Sequence, residues 1–238
     1  MNKSKIFNLY QWLNITFDEL DKFNQDIGLY LQGVLLDIGC GEQKRCFDKV
    51  DRHIGLDYPS AIGINSQLSA FDTDVFGDAL SLPFKDNSFD CAVALTVFEH
   101  LKNPFIVAKE ANRILKKRGI FAVTVPFTHR MHSAPYDFYR FTTYGLKHIL
   151  ESAGFEVLKI KNGGGMWKAI AARLSGYIYS DILGLGYGVD DLNVRPKKYL
   201  LPIFAPLIFI IVLIGRILDK LHYVDKDSLV YYALCRKR

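Results

Sequence analysis

Short apolar runs alternate with amphipathic stretches along the first two-thirds of the chain. Uninterrupted Val, Leu and Ile runs predict strands that are buried on both faces, as in a parallel sheet covered by helices. Apolar residues at helical spacing predict the helices between them. The predicted strands cover 34–38, 53–57, 89–95, 120–125, 155–160 and 229–235, and the predicted helices cover about 16–30, 103–115 and 142–153. This alternation indicates a doubly wound α/β domain.

Residues at the ends of these helices support the prediction. Thr16 followed by Glu19 forms a capping-box pattern at the start of the first helix. Gly119 is expected to end the second helix, because glycine is common just after a helix. Thr142 is expected to cap the third helix and Gly154 to end it.

The alternation stops at Asn162. Three consecutive glycines follow at 163–165 and predict a flexible joint. Beyond them, residues 199–215 carry no charge, and this run approaches the about 20 apolar residues that a membrane-spanning helix needs. The sequence therefore predicts three ranges. They are a core over 1–162, a helical apolar insertion over 163–226, and the final strand of the core over 227–238.

The insertion is expected to return to the side from which it starts. Its flanking strands, 155–160 and 229–235, are expected to pair in one sheet, which excludes a single pass through a membrane. A hairpin or re-entrant insertion, a helix in the membrane plane, and a lid or dimer interface remain as alternatives. The basic residues near the run, which suit a headgroup zone, are Lys197, Lys198, Arg216 and Lys220.

Composition and charge narrow the class of protein. Half of the 238 residues are hydrophobic and 23% are charged, as in a folded protein. The net charge of +5 is spread over short clusters, which disfavours nucleic acid as a partner. The four cysteines show no C-x-x-C pairing, so we predict no metal site and a cytoplasmic protein. The apolar run adds peripheral contact with the inner membrane face as a second expectation.

Acidic residues and glycines follow three neighbouring strands of the predicted sheet. Asp37 precedes a turn in which Gly39 and Gly41 let a ligand lie against bare backbone. Asp57 ends the second strand, and Asp78 follows Phe76-Gly77, ahead of Leu82-Pro83-Phe84. Because ligands of α/β sheets bind at the carboxyl ends of the strands, these residues are expected to form one site. One carboxylate can accept hydrogen bonds from a ribose diol and another from an exocyclic amine, which predicts an adenosine-containing ligand.

In this order and spacing the motifs resemble those of the class I S-adenosylmethionine-dependent methyltransferases, in particular the large bacterial group with the general methyltransferase domain. The resemblance covers about 31–160 and the last strand. It rests on the segments 37–41, 55–57, 77–79, 82–84, 86–90, 99–101, 110–119 and 153–155. It implies a mostly parallel seven-stranded Rossmann-like sheet and S-adenosyl-L-methionine as cofactor.

The resemblance also implies a set of cofactor-binding residues. These are Asp37, Gly39, Cys40, Gly41, Asp57, Asp78, Ala79 and Thr96. Asp57 would bind the ribose hydroxyls, and Asp78 with Ala79 would meet the adenine. Gln43 stands where the family often has a small residue, and this departure would narrow the cofactor loop. Lys44 stands where a dinucleotide-binding G-x-G-x-x-G motif has its third glycine, which disfavours a dinucleotide.

Polar and aromatic residues are concentrated over 126–142, where the family places its substrate loop. His129, His132 and Asp137 are the candidate catalytic residues, because imidazoles and a carboxylate can act as base and orienting group. An ion pair of Asp137 with Arg140 across a turn is the structural alternative. The two histidines and Asp137 lack a recognised metal-ligand spacing.

The sequence therefore predicts an S-adenosylmethionine-dependent methyltransferase that acts on a small or lipid-linked acceptor. The alternative is a non-catalytic S-adenosylmethionine-binding protein that serves as a membrane-associated scaffold. A nucleic-acid acceptor is not expected, because no N-P-P-Y-type motif follows the fourth strand.

Overall fold

The computed structural model describes residues 14–41, 47–58, 73–185 and 196–238. Their strands are β1 (Gly33–Ile38), β2 (Val50–Asp57), β3 (Val75–Phe76), β4 (Phe89–Leu95), β5 (Leu115–Pro126), β6 (Phe155–Gly163) and β7 (Val230–Lys237). Their α-helices are α1 (Ile15–Gly28), α2 (Pro104–Ile114), α3 (Thr143–Ser152), α4 (Met166–Tyr177) and α5 (Leu201–Leu221). Short 3-10 turns occupy Phe98–His100 and Lys198–Leu200, and a π-helical turn at Ile178–Ile182 continues α4.

The seven strands of the described residues form one sheet in the order β3-β2-β1-β4-β5-β7-β6. β1 pairs in parallel with both β2 and β4, and the pairs β2–β3 and β4–β5 are parallel as well. Parallel neighbours need crossover connections, and between β4 and β5 this connection contains α2. The predicted doubly wound, mostly parallel seven-stranded sheet is therefore confirmed. Ile38 lies beside Leu56 and Asp57 beside Phe76, so the carboxyl ends of β1, β2 and β3 come together.

The described residues divide into two compact units. The α/β unit comprises those within 24–125, 138–161 and 231–238 and holds most of the sheet. The hairpin unit comprises those within 14–23, 126–137 and 162–230. The ranges 1–162, 163–226 and 227–238 stay a prediction of the domain boundaries.

The core of the α/β unit is built from the apolar runs that predicted its strands. Leu35 and Leu36 of β1 are completely buried, because both faces of this central strand are covered. Phe121 lies between Phe98 and Phe155, with ring centroids 6.2 and 5.2 Å away. Each such side chain contributes about 1.5–3 kcal/mol when it leaves water.

Two predicted helix ends are wrong. α1 begins at Ile15 and is capped by Asn14, whose Oδ1 accepts a hydrogen bond from the Phe17 N–H at 3.3 Å. The Thr16–Glu19 capping box does not form, because the Glu19 carboxylate is held by lysines instead. Gly119 lies inside β5, where a Cβ would come within 2.8 Å of the Lys116 carbonyl oxygen. This glycine therefore serves close backbone packing in a strand and not a helix end.

The ends predicted for the third helix are confirmed. Thr142 Oγ1 accepts a hydrogen bond from the Gly145 N–H at 3.1 Å, and α3 begins at the next residue. Gly154 follows α3 with a φ of +91°, a left-handed conformation that glycine adopts without strain.

In the hairpin unit, α4 and α5 form an antiparallel pair. Lys168 near the start of α4 lies 3.5 Å from Asp219 near the end of α5, while Ala171 lies against Gly215, one turn earlier in α5. Gly215 permits this close approach, since a Cβ there would collide with Ala171. The glycines at 163–165 are buried, so the predicted flexible joint is instead a packed connection between β6 and α4.

A network of charged side chains joins the base of this hairpin to α1. Lys168 Nζ lies 2.9 Å from Glu19 Oε1, and Arg216 lies 2.7 Å from Asp18. Asp219 Oδ2 accepts a hydrogen bond from the Gly165 N–H at 3.2 Å and places negative charge at the N-terminus of α4. Glu19 and Asp219 are 7% and 5% exposed, so salt screens these interactions weakly.

Replacing Glu19 with glutamine should destabilise the protein more at neutral pH than at acid pH. Burial raises the pKa of Glu19, but the hydrogen bonds from Lys22 and Lys168 outweigh it and hold that pKa below its usual value. A lowered carboxyl pKa stabilises the fold above the pKa of the unfolded chain, and this stabilisation is lost as pH falls through the folded value. We expect a loss of about 1–3 kcal/mol in the free energy of unfolding at neutral pH.

Urea denaturation at several pH values measures this loss, which should shrink below about pH 4. Glu151→Gln is the control, because Glu151 forms an exposed pair with Lys147 at 3.8 Å and its loss should stay within about 0.5 kcal/mol. A Glu19→Gln loss that did not change with pH would contradict the ion pair as its cause.

Candidate functional site

Two left-handed glycines shape the turn after β1. Gly39 and Gly41 have φ values of +71° and +65°. The N–H groups of Gly39 and Cys40 both donate to the Leu56 carbonyl, at 2.8 and 3.2 Å, and so close the turn onto β2. A Cβ at Gly39 would lie 2.6 Å from Val97 Cγ2, whereas one at Gly41 would meet no described atom within 4 Å. Packing therefore requires Gly39, whereas no described side chain packs against Gly41.

Asp57 holds this turn from the end of β2. Its Oδ2 accepts a hydrogen bond from the Gly41 N–H at 2.9 Å, and its Oδ1 accepts one from the Tyr58 N–H at 2.7 Å. Each carboxylate oxygen can accept more than one hydrogen bond. The side chain is thus fixed in one orientation and keeps acceptor capacity for a pair of hydroxyls.

Asp37 is completely buried within β1. Its Oδ2 lies 3.3 Å from His53 Nε2, on the neighbouring strand β2. His53 was not predicted as a site residue, because a histidine in a short apolar run gives no signal of which acid it meets. Only the parallel register of β1 and β2 brings the two side chains together.

Asp78 and Ala79 follow β3. Asp78 Oδ1 accepts a hydrogen bond from the Leu80 N–H at 2.8 Å. Asp78 is exposed, whereas Ala79 is only 8% exposed. The Gly77 N–H donates to the Asp57 carbonyl at 2.9 Å and carries the pairing of β2 and β3 into this loop.

Two residues of α2 hold the rest of this loop. Glu110 Oε2 accepts a hydrogen bond from the Leu82 N–H at 2.8 Å. Arg113 donates to the carbonyls of Leu82 and Phe84 at 3.0 and 2.7 Å, and its guanidinium lies 2.8 Å from Asp86. The hydrogen bond from Arg113 lowers the pKa of Glu110 and keeps it ionised as an acceptor. These hydrogen bonds bring the segments 82–84, 86–90 and 110–119 of the resemblance into contact with one another.

Thr96 turns the chain after β4. It adopts a left-handed φ of +58°, and its N–H donates to Thr124 Oγ1 at 2.9 Å. This turn places Val97 against Gly39. Neither Thr124 nor Val97 was predicted as a site residue. The sequence signal for Thr124 was a polar residue within the otherwise apolar run 120–125. The structure shows that this threonine is completely buried.

The cysteines of the described residues are buried thiols. Cys40, Cys91 and Cys235 are free, and Cys40 Sγ lies 3.5 Å from Thr73 Oγ1. Burial raises the pKa of Cys40 and that of Cys91, the latter to about 11. These thiols stay protonated at neutral pH and are poor nucleophiles. Gln43, Lys44 and Cys46 lie outside the described residues, so the predictions for them stay open.

The three candidate catalytic residues form one cluster in the hairpin unit. The Asp137 carboxylate accepts a hydrogen bond from the His132 N–H at 2.9 Å and lies 3.4 Å from His132 Nδ1. The His132 and His129 rings meet edge to face with centroids 4.8 Å apart. The Asp137 side chain is 3% exposed, whereas that of His132 is 26% exposed. A histidine oriented in this way can present Nε2 as a base.

Alanine at Gly39 should destabilise the protein more than alanine at Gly41. Both substitutions force alanine into the left-handed region, which costs about 1–2 kcal/mol. Gly39→Ala also overpacks Val97, which adds about 1–3 kcal/mol. Urea denaturation without cofactor measures both losses, and the Gly39→Ala/Val97→Ala double variant should recover part of the extra loss. Equal losses at the two glycines would contradict the packing role of Gly39.

Residues 36–123 match the family model described as the methyltransferase domain. Over 145 residues the chain is 31% identical to a probable S-adenosylmethionine-dependent methyltransferase of Mycolicibacterium smegmatis, with 56% of each chain covered. It is 27% identical to the demethylmenaquinone methyltransferase of Staphylococcus haemolyticus, with 43% of this chain and 54% of the relative covered. The chain thus spans about half the length of the curated relatives it matches.

The fold is also similar to that of a solved S-adenosylmethionine-dependent methyltransferase from Archaeoglobus fulgidus. The TM-score is 0.56 at 18% identity, and the alignment covers 97% of this chain and 99% of that one. The seven-stranded sheet agrees with this similarity in fold. Residues 36–123 are thus those of a methyltransferase domain, and the matches support a class I S-adenosylmethionine-dependent methyltransferase with S-adenosyl-L-methionine as its cofactor.

Proposed function

We propose that this protein transfers a methyl group from S-adenosyl-L-methionine to a small or lipid-linked acceptor at the cytoplasmic face of a membrane. The observation that carries methyl transfer is the turn after β1. There the open backbone of Gly41 and the oriented carboxylate of Asp57 occur side by side. A ribose with two adjacent hydroxyls fits these groups.

The proposed cofactor contacts follow the carboxyl ends of the strands. Asp57 binds the ribose hydroxyls, and Asp78 with Ala79 meets the adenine. The residues assigned to the methionine end and the walls of the site are Asp37, Gly39, Cys40, Gly41 and Thr96. When bound, the cofactor supplies a methyl group on a positively charged sulfonium.

His132 is the proposed base for an oxygen acceptor. Methyl transfer is a one-step displacement that depends on alignment of donor and acceptor. A hydroxyl must lose its proton as the new bond forms, and that proton would pass to His132 Nε2. The Arg130 carbonyl and the Asp137 carboxylate, 3.2 and 3.4 Å from Nδ1, would orient the ring. Asp137 would stabilise its charged form, and His129 would pack against it. An amine of low pKa would not need this base.

The apolar helix α5 supports a lipophilic acceptor. With the residues before it, Lys198–Leu221, it is long and apolar enough to cross a membrane, and 17% of its most apolar part is buried. β6 and β7 on either side of the hairpin are neighbours in the sheet, as predicted, so the insertion returns to its starting side. The relative from Staphylococcus haemolyticus is named for methylating demethylmenaquinone, which favours a quinone-like acceptor.

The second candidate function is a membrane-associated scaffold that binds S-adenosyl-L-methionine without catalysis. The large exposed apolar surface of α5 favours it, since such a surface serves a partner as well as a substrate. The two functions differ in whether a methyl group leaves the cofactor.

Asp57→Ala should weaken binding of S-adenosyl-L-methionine by at least about tenfold, because each lost hydrogen bond to a charged group is worth about 1.5–3 kcal/mol. Isothermal titration calorimetry measures the affinity. Asp51→Ala is the matched control, since Asp51 is an exposed aspartate of the same strand. Wild-type protein that does not bind the cofactor, or an Asp57→Ala variant with unchanged affinity, would contradict the assigned site.

Incubation with methyl-labelled cofactor and total cell extract should place label in the lipid or small-molecule fraction. With an oxygen acceptor, His132→Ala should lower the rate by about 10²–10⁴-fold and leave cofactor affinity unchanged. His148→Ala, an exposed histidine of α3, is the control. Protein that binds the cofactor but labels no fraction would favour the scaffold.

A further inference from the structure

One side of α5, which we call its outer face, consists of exposed aliphatic and aromatic residues. Its members are Ile203, Leu207, Phe209, Ile210, Leu213, Ile214, Ile217 and Leu221, each between 38% and 78% exposed. The opposite side of the helix holds Ile208 and Val212, which are buried in the hairpin unit's core. The helix therefore buries one side against protein and leaves an apolar side to be covered by something else.

The outer face is long and without charge. From Ile203 to Leu221 it extends about 27 Å at the rise of an α-helix. Soluble monomers rarely expose contiguous apolar patches larger than a few hundred Å², and a patch of that kind marks a contact with lipid or protein. The residues on this face offer no side-chain hydrogen-bond donor or acceptor.

The ends of the helix favour lipid as the covering partner. Lys197, Lys198 and the 77% exposed Tyr199 lie before the outer face, and Lys220 and the 55% exposed Tyr223 lie at its other end. Lysines and tyrosines are enriched at the boundary between hydrocarbon and water, and lysines attract anionic headgroups. Protein–protein interfaces, by contrast, add Tyr, Trp and Arg at their centre and hydrogen-bonding groups around it.

Charges on α4 decide the orientation of the hairpin. Asp181 lies 15 residues beyond the start of α4 at Met166, about 22 Å along the helix. It forms an ion pair with Arg130 at 2.8 Å, and both side chains are about two-fifths exposed, at 42% and 41%. If the hairpin entered the bilayer end-on, this pair and the exposed Arg173 would reach the hydrocarbon. Each charge there costs several kcal/mol, so α4 must stay on the water side.

The outer face is also held in place before any partner binds. Lys168 joins the start of α4 to Glu19 and Asp219, and Gly215 packs closely on Ala171. A preformed face loses little conformational freedom on binding. The same packing keeps α4 and α5 side by side; α4 exposes a shorter apolar stripe, Ile170, Leu174 and Tyr177, next to its exposed Arg173.

We propose that the hairpin docks flat on an anionic bilayer surface, with the outer face of α5 at the boundary of headgroups and acyl chains and with α4 toward water. The inference deepens the proposed function, on which it rests for the reason why the protein meets a lipid. It selects the in-plane helix among the arrangements that the sequence left open.

Co-sedimentation of the full chain with vesicles tests the docking. Wild-type protein should bind vesicles that contain phosphatidylglycerol, and Ile210→Glu/Ile214→Glu should weaken this binding at least tenfold. Both isoleucines are half-exposed, so the fold tolerates the change. Leu29→Glu, at a 67% exposed leucine after α1, is the control and should bind like the wild type. Glutamine at Lys197, Lys198 and Lys220 should lower the preference for anionic over zwitterionic vesicles by about fivefold per lysine.

Two results would overturn the docking. One is wild-type protein that stays in the supernatant with every vesicle. The other is a dimer, seen by light scattering, that dissociates in Ile210→Glu/Ile214→Glu while vesicles bind neither protein. The second result would assign the outer face to another copy of the chain.

Depth measurements test the flat orientation. Single Ile203→Cys, Ile210→Cys and Ile217→Cys variants, with Cys46 replaced by serine, carry a nitroxide label, while Cys40, Cys91 and Cys235 are buried. The three labels should report equal, shallow depths on vesicles. A label at 210 that lies deeper than the other two would show a spanning helix and reject the flat orientation.

The docking and the proposed function fail in different ways. Asp57→Ala should lose the cofactor and still bind vesicles. Absent vesicle binding together with methylation of a soluble acceptor rejects the docking alone. Vesicle binding together with label in no fraction rejects methyl transfer alone.

Discussion

The cofactor site depends on the hydrogen bonds that close the turn after β1 onto the end of β2. The Leu56 carbonyl accepts from Gly39 and Cys40, and Asp57 accepts from Gly41. These bonds form only when β1 and β2 are parallel and in register, so the geometry of the site depends on this strand pairing. Thr96 completes it from β4, because its left-handed turn sets Val97 against Gly39.

In the hairpin unit, buried charged residues give the apolar helix α5 a defined orientation. α5 is apolar almost all round, yet its buried side ends in Asp219, which lies beside Lys168 and the N-terminus of α4. Burying these charges is tolerable because each has a partner of opposite sign or a backbone donor. The arrangement gives the helix a defined protein side and a defined apolar side. A helix that was merely hydrophobic would have no such orientation.

Local patterns predicted much of the fold and the glycine turn of the candidate site. The strands, α3 with its Thr142 cap, and the glycine turn follow from residues close together in the chain. Asn14 as the cap of α1 and Gly119 inside β5 were missed, because Thr16 and Gly119 carry equally good local signals for another role. His53 and Thr124 were missed for a stronger reason: their partners, Asp37 and Thr96, lie 16 and 28 residues away.

The sequence by itself determined the α/β class, the order of its elements, the cofactor family and the presence of one long apolar helix. Periodicity and turn chemistry act over a few residues, and a single chain displays them directly. The tertiary structure decided which side chains meet. It joined Asp37 to His53 and Asp137 to His132, and it turned one side of α5 toward Ile208 and Val212 and the other outward. Such pairings depend on strand register and helix packing, which no local pattern encodes.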